Sequence, residues 1–328
     1  MTLAVLLTRR SQLKVLSPVI DASLARGHDT VVVAEVRAAK KGDRLDVAEV
    51  RRLWPGVRVL DGVPGWAEAL VGLESVLPLY AGRTRLIGVD HFYDCWLRPP
   101  RPDVTMCYSS EWHAETHADI WNADDSGRVA GWLPGDQLFA ATRTRTGPRD
   151  TAVFFALKLD VPEPWRTSRA GRRAYREFAE HAKALAHAEG LRFVVKSRAK
   201  NGDPWWLRWL ADEYVRDECM VPYTSLSLLA QARWCVHFES GAVFEAALMG
   251  AYSVAIPVPQ PHIIDLPGGR LQYGGVPMHD WPGVAQYGLP TGAVPAVAPE
   301  ARTRYVERFL GPCDGKVAQR ILDIAEGG

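Results

Sequence analysis

The residues best suited to chemistry lie in one short run, HFESGAVFEAALMG, from His237 to Gly250. It follows the apolar stretch WCVHF and leads into helical spacing, so it reads as a strand, a turn and a helix. In an open parallel sheet, ligands gather at the carboxyl ends of strands. A helix that starts there presents unpaired N–H groups and the positive end of its dipole, which suit a diphosphate. Ser240 adds a hydroxyl, and Gly241 adds backbone with no side chain in the way. Glu245, one turn further on, is spaced to accept from both hydroxyls of a ribose. The competing reading is an ordinary β–α turn, with Ser240 as a helix cap and Glu245 on a solvated face.

Cations are spaced to assist such a site. Lys196 and Arg198 in FVVKSRAK end one apolar strand pattern, and Lys158 ends the one before it. A cation there offsets phosphate charge and favours a leaving group, whereas the competing reading is plain surface residues. Trp205, Trp206 and Trp209 of PWWLRWL are expected to pack a helix rather than stack on a ligand.

Activating a hydroxyl also needs a base. The loop over residues 8–12, after the first strand pattern, holds neither a carboxylate nor a histidine, but offers Arg9 or Arg10 to a phosphate. Two pairs follow later strands: Asp90 with His91 in LIGVDHFYDCW, and Glu111 with His113 in YSSEWHAETHAD. Asp90 and His91 are adjacent, so their side chains diverge and cannot form a dyad with each other. His113 and His117 are four apart and would align on a helix as metal ligands. Residue 114 is alanine where H-E-x-x-H requires glutamate, and no suitably placed D-x-D exists, so no metal is expected.

The elements that must position these residues alternate in type. Apolar runs predict strands over 3–7, 30–35, 57–60, 86–89, 104–108 and 129–132, with helices to about residue 26 and over 66–79. The polar, Thr/Arg-rich segment AATRTRTGPRD, over 140–150, reads as a linker. A second series follows, with strands over 152–157, 192–196, 234–238 and 253–256 and a further one offered by 218–221. Its helices fall over 170–189, 204–214, 225–232 and 243–249. Residues 259–299 are Gly- and Pro-rich without period, and a stretch this long is more often functional than idle. Helical spacing over 301–325 breaks at Gly311-Pro312. The expectation is an α/β protein with domains over 1–141 and 151–328, joined by 142–150, the last helix able to pack back on the first domain.

The spacing His-x7-Glu from His237 to Glu245, followed by Gly250 and Pro257, resembles the donor-binding box of nucleotide-sugar glycosyltransferases. The run Glu-Ser-Gly-x-x-x-Glu-Ala is similar to the Asp-Ser-Gly segment of the UDP-N-acetylglucosamine 2-epimerases, and FLGPCDGKVAQRILDI resembles the closing helix of bacterial surface-carbohydrate proteins. FVVKSRAK loosely resembles the Lys-Pro-His-Pro segment of CDP-glycerol glycerophosphotransferases. These resemblances imply the GT-B architecture: two facing Rossmann-like, doubly wound domains with a cleft between them. They imply that His237, Ser240 and Gly241 meet a diphosphate, Glu245 a ribose, and Gln260 and His262 a sugar. Ala251-Tyr252 departs from the Gly-Pro or Lys-Pro that commonly follows this helix. The implied activity is inverting, metal-independent glycosyl transfer, with a nucleotide sugar (a UDP-sugar foremost) as co-substrate and no separate cofactor. The alternatives are a CDP-polyol phosphotransferase, a sugar-nucleotide epimerase and a non-catalytic nucleotide-sugar-binding module.

Bulk composition agrees with a folded chain. Of 328 residues 47% are hydrophobic and 23% charged, which excludes general disorder. Five scattered cysteines without a C-x-x-C pair point to a reducing compartment. The first residues place their apolar run before the basic ones, the reverse of a signal peptide, so a cytoplasmic location is expected. Net charge is +1, yet residues 143–200 carry 14 Lys/Arg against 6 Asp/Glu. That stretch would attract phosphate-bearing partners. The acceptor stays open among a glycan, a small molecule and a modified DNA base, although +1 is modest for binding nucleic acid.

Overall fold

The computed structural model describes residues 1–35, 44–73, 77, 84–90, 99, 101–121, 127–143, 147–157, 168–197, 204–216, 220–221, 224–257, 262–266, 269–273 and 277–327. The chain forms two compact units: Met1–Ala140 with Leu266–Gly269 and Glu307–Gly328, and Ala141–Asp265 with Arg270–Val306.

Unit 1 begins with β1 (Thr2–Leu7), α1 (Leu13–Ala25), β2 (Asp29–Ala34), α2 (Val47–Leu53) and β3 (Arg58–Leu60). It continues with β4 (Ala69–Leu73), β5 (Arg85–Val89), β6 (Val104–Tyr108), α3 (Glu111–Trp121), β7 (Arg128–Val129) and α4 (Gly135–Arg143). The sheet order is β3-β2-β1-β4-β5-β6-β7, every pair parallel. Parallel strands covered on both faces read as unbroken apolar runs, and β1 and β4 are buried along almost their whole length.

That same rule explains a correction. Residues 66–79 carry apolar spacing that predicts a helix, but β4 occupies their middle and lies at the centre of the sheet. A short, fully buried strand cannot be told from a buried helix by periodicity. Here Gly72 favours the strand, because a Cβ there would lie 3.3 Å from the Leu6 Cβ and 3.1 Å from a Leu77 methyl.

Unit 2 starts with β8 (Thr151–Phe155), α5 (Arg169–Ala188), β9 (Arg192–Lys196), α6 (Trp205–Leu210) and β10 (Glu213–Val215). Then come α7 (Thr224–Gln231), β11 (Ala232–His237), α8 (Ala242–Met249), β12 (Tyr252–Ala255), β13 (His262–Leu266), β14 (Gly269–Tyr273), β15 (Ala285–Tyr287) and α9 (Pro299–Phe309). The order β10-β9-β8-β11-β12-β15 repeats the winding of the first sheet, with β13 and β14 forming a separate two-stranded sheet. The helix predicted over 204–214 stops at Leu210, and its tail becomes edge strand β10. The polar segment over 140–150 begins as the last turn of α4. The strand offered by 218–221 falls partly outside the described residues.

Local sequence accounts for these elements. Ser168 caps α5 by accepting from the Gly171 N–H at 2.9 Å. The helix buries Tyr175, Ala179, Ala182 and Ala186 at helical spacing, against Phe154, Phe193 and Trp234. α8 is buried all round and ends at Gly250, whose φ of 69° suits glycine at a left-handed C-cap.

The chain closes with α10 (Val317–Glu326), which belongs to unit 1. Arg26, the C-cap residue of α1, reaches Gln319 and Glu326 of α10, and Arg85 of β5 donates to the Ala325 carbonyl. Before α10 the backbone crosses close over β6. Gly311 has φ 64°, and a Cβ there would stand 2.1 Å from the Ser109 carbonyl oxygen. Gly311→Ala is therefore expected to destabilise unit 1 by about 2 kcal/mol or more, combining left-handed strain with a backbone clash. Urea denaturation should show it, while Gly292→Ala, where nothing lies within 4 Å, should stay within about 0.5 kcal/mol.

Candidate functional site

Each sheet reverses its winding beside its first strand, between β1 and β4 and between β8 and β11. Such switch points open a crevice at the carboxyl ends of the strands. In unit 2 the turn from β11 into α8 stands at that place.

The turn is held from below by His237, which is fully buried. The Ser240 N–H donates to His237 Nδ1 at 3.3 Å, so Nε2 carries the proton and donates to Ser253 Oγ at 2.7 Å. The ring therefore supports the turn from inside. Glu239 takes φ 36°, an unusual conformation for a residue with a side chain, costing about 1–2 kcal/mol. Its carboxylate accepts from the Tyr287 hydroxyl at 3.0 Å. The His279 ring lies between, with centroids 5.4 Å from His237 and 6.2 Å from Tyr287. Burial pushes the His279 imidazole down to about 3, so it is neutral at ordinary pH.

The first amides of α8 are partly used by the chain itself. Ala242 N–H donates to Ser240 Oγ at 3.4 Å, Val243 N–H to the Ser240 carbonyl, and Phe244 N–H to the Gly241 carbonyl. Ser240 thus accepts from the first helical amide, one residue ahead of the N-cap Gly241. Among the described residues none accepts from the Gly241 N–H, and a Cβ on Gly241 would meet nothing within 4 Å. One donor at the start of the helix is thus not taken by any described group. Glu245 is buried rather than on a solvated face. Burial first, and then the Glu245 carboxylate, push the Cys235 thiol up, which sets Glu245 over β11.

Lys196 ends β9 and is only 6% exposed, so it is no surface lysine; its ammonium lies 5.7 Å from the Phe155 ring centroid. Register pairs Lys196 with Phe155 on β8 and Phe154 with Val236 on β11. Lys196, Phe155 and His237 therefore form one row, with Lys196 about 10 Å from His237 by strand spacing. His91, Lys158, Arg198 and Gln260 lie outside the described residues. The backbone of His262 opens β13, and its side chain lies outside them too.

Unit 1 joins residues that the sequence offered as two separate pairs. Asp90, after β5, meets His113 on α3, with Oδ2 to Nδ1 at 2.5 Å. Ser109 donates its hydroxyl and its N–H to the same carboxylate oxygen, at 2.8 and 3.2 Å. Asp90, Ser109 and His113 are all buried. Burial pushes the Asp90 carboxyl up, but the His113 charge and the hydrogen bonds from His113 and Ser109 outweigh it, leaving the carboxyl below its ordinary value. Ser109 also approaches His113 Nδ1, so serine and aspartate address one nitrogen. A nucleophilic relay needs them on opposite nitrogens, which excludes that chemistry here.

Glu111, in the first turn of α3, is exposed. His117 is buried, its Nδ1 hydrogen-bonded to the Tyr108 hydroxyl, so the two histidines of α3 have different partners. No cluster of three metal-ligating side chains occurs among the described residues. Arg10 is already engaged, forming a two-pronged ion pair with Glu49 at 2.7 and 2.9 Å, while Arg9 stays exposed.

Solved structures share this architecture. A Listeria monocytogenes protein assigned as a UDP-N-acetylglucosamine 2-epimerase superposes with a TM-score of 0.59 at 11% identity, covering 99% of this chain and 95% of that one. The chain has the GT-B fold. The UDP-GlcNAc 2-epimerase of Methanocaldococcus jannaschii, solved with UDP-GlcNAc and UDP, gives 0.52 at 10% identity over 100% of both chains. An Arabidopsis thaliana protein solved with UDP-L-rhamnose gives 0.51 at 12% identity, over 99% of this chain and 98% of that one. No protein-family model and no curated protein matches the sequence. In GT-B terms the two Rossmann-like sheets are those of units 1 and 2. No helix among the described residues is long and apolar enough to cross a membrane.

The sequence signalled Asp90, His113, Ser240 and Glu245, but it missed Ser109, Glu239, Ser253, His279 and Tyr287. The last two fall in the Gly/Pro-rich stretch flagged for its length alone.

The Asp90–His113 pair makes a prediction for acid stability. A carboxyl whose folded value is lowered contributes fully above the ordinary value of about 4, and its contribution is lost as pH falls through the folded value. Asp90→Asn should cost about 1.5–3 kcal/mol at pH 7 by removing the carboxylate that Ser109 and His113 address. The cost should shrink below about pH 4, read by urea denaturation across that range. An equal cost at every pH would remove the ionised Asp90 carboxylate from the account.

Proposed function

We propose that this GT-B chain is a nucleotide-sugar glycosyltransferase, moving a sugar from a nucleoside diphosphate, preferably UDP, to a hydroxyl acceptor. The observation that carries the reading is the Gly241 N–H, which no described group accepts, at the start of α8 and at the switch point of unit 2. The helix end contributes roughly half a positive charge, and Lys196 adds a full one in the same row. These meet the diphosphate, and Glu245 accepts from the ribose hydroxyls. His237 acts as a positioning residue that shapes the turn.

The base is Glu111. Asp90, Ser109 and His113 fix the β6–α3 turn from within, and that turn carries the exposed carboxylate. As the acceptor oxygen attacks the anomeric carbon, Glu111 takes its proton. The bond from that carbon to the diphosphate oxygen breaks, with inversion, and the electron pair leaves on the diphosphate. Positive protein groups take the part that a metal would play in balancing this charge.

A sugar-nucleotide epimerase is the second reading, favoured by the likeness to two 2-epimerases and by the two carboxylates, Asp90 and Glu111, at one end of a sheet. Incubation with UDP-GlcNAc and no acceptor separates the readings. Accumulation of the C2 epimer would replace the transferase with the epimerase.

Thermal-shift measurements should show stabilisation by one nucleoside diphosphate, strongest for UDP. Glu245→Ala should weaken that nucleotide about tenfold or more, the loss of a charged hydrogen-bonding group. Glu111→Gln should keep nucleotide affinity and lower turnover by about 10²-fold or more. No response to UDP, CDP, GDP, dTDP or ADP would end the nucleotide-sugar assignment.

A further inference from the structure

The helix α8 has eight residues, all of them buried, and a helix this short does not hold itself together in water. Apolar burial is non-directional, so it keeps α8 in the core without fixing its position along its own axis. A slide along that axis would carry the Gly241 N–H with it. Hydrogen bonds, which are directional, oppose such a slide.

The last four carbonyls of a helix have no partner within it. In α8 these belong to Ala246, Ala247, Leu248 and Met249. The first two accept from the Ala251 and Gly250 N–H groups. The other two go to arginines. Arg302 Nη2 donates to the Leu248 carbonyl at 2.5 Å, and Arg149 Nη2 donates to the Met249 carbonyl. Arg149 also donates from Nη1 to the Ala232 carbonyl at 2.6 Å, so one planar fork ties the start of β11 to the end of α8. Gly250 leaves room for it, since a Cβ there would stand 2.9 Å from Arg149 Nη2. The β11–α8 pair is thus closed at both ends, by His237 and Ser240 in the turn and by Arg149 opposite.

We infer that Arg149 and Arg302 are positioning residues of the donor site. They hold α8 in axial register, so that its first amides stand where a diphosphate meets them. Groups that bind a ligand must be placed within about 0.5 Å, and the supports that do this need not touch the ligand. The inference rests on the donor reading above and extends it to two side chains at the other end of the helix.

The test measures UDP affinity by calorimetry, and amide hydrogen exchange in the full chain without ligand. Arg302→Met and Arg149→Met should each weaken UDP about tenfold or more. Each should also speed exchange over Ala242–Phe244 more than exchange along α5. Arg302→Lys, which keeps a donor for Leu248, should recover most of both losses. Arg149→Lys keeps the charge but loses the fork, so it should stay as weak as Arg149→Met. Ser168→Ala, which removes the α5 cap in the same unit, is the control. It should lower the melting temperature by about 2 °C or more and leave UDP affinity unchanged. Arginine variants that melt lower but bind UDP like wild type would overturn the inference, and so would Arg149→Lys with wild-type affinity. Should a methionine variant fail to fold, the two lysine variants carry the same comparison. If wild type binds no UDP, the donor reading falls, and exchange decides the hold on α8 separately. A rise confined to α8 would support that hold, and a rise shared equally with α5 would refute it.

Discussion

The constraint on which the rest depends is the covering of each parallel sheet on both faces. Helices on either side favour apolar strand interiors, so β1, β4 and β8 are apolar almost throughout, and the serine inside β12 is hydrogen-bonded to His237. Polar side chains are thereby driven to the strand ends. Several of the buried ones stand at or just after strand ends: Thr8 and Gln12 beyond β1, Asp90 beyond β5, Ser109 and Ser110 beyond β6, Lys196 and Ser197 at the end of β9, and His237 at the end of β11. The distribution of chemistry follows from the packing rule, before any ligand is considered.

This explains what could be read from the chain. Runs such as LAVLL and VVVA have one plausible fate, and capped, amphipathic α5 has another. Residues 66–79 failed for the same reason the others succeeded: a strand buried on both faces has no alternation to distinguish it from a buried helix. Only the close approach of Gly72 to Leu6 decides it, and that contact joins residues 66 apart. Trp205 and Trp209, expected to pack but exposed, failed differently. Periodicity tells which residues share a face of α6, but it does not tell whether another element covers that face.

Site residues were legible where the chemistry is local. Ser240, Gly241 and Glu245 are fixed relative to one another by a single turn and helix, so spacing alone arranges them. Asp90 and His113 are 23 apart in sequence and meet only because β5 and β6 are neighbours with aligned ends. Each had been paired with a closer residue, because sequence adjacency was the only distance available. Ser109 carried no signal at all; its hydroxyl matters because the carboxylate stands over it. The network of His279, Tyr287 and Glu239 was hidden for a similar reason, being assembled from an irregular segment and a turn across the sheet.

Burial and function pull against each other within both clusters, and the geometry resolves the tension the same way in each. Asp90, Ser109 and His113 hydrogen-bond one another beneath the surface through Asp90 Oδ2 and His113 Nδ1, and exposed Glu111 stands in the first turn of the same helix as His113. His237 likewise spends both ring nitrogens on the chain, and what it steadies is the turn that leaves the Gly241 N–H open. A buried ionised or hydrogen-bonded group is costly to misplace, because any movement leaves it unsatisfied in a medium of low dielectric. That cost makes it a poor reagent and a good anchor. The strain at Glu239 fits the same logic. A left-handed turn without glycine persists only when its surroundings fix it, and Tyr287 above and His237 below do so here. The groups that sequence chemistry ranks highest, buried histidines and a low-lying carboxylate, are hydrogen-bonded within the chain. The groups left facing outward are a plain glutamate and a backbone amide.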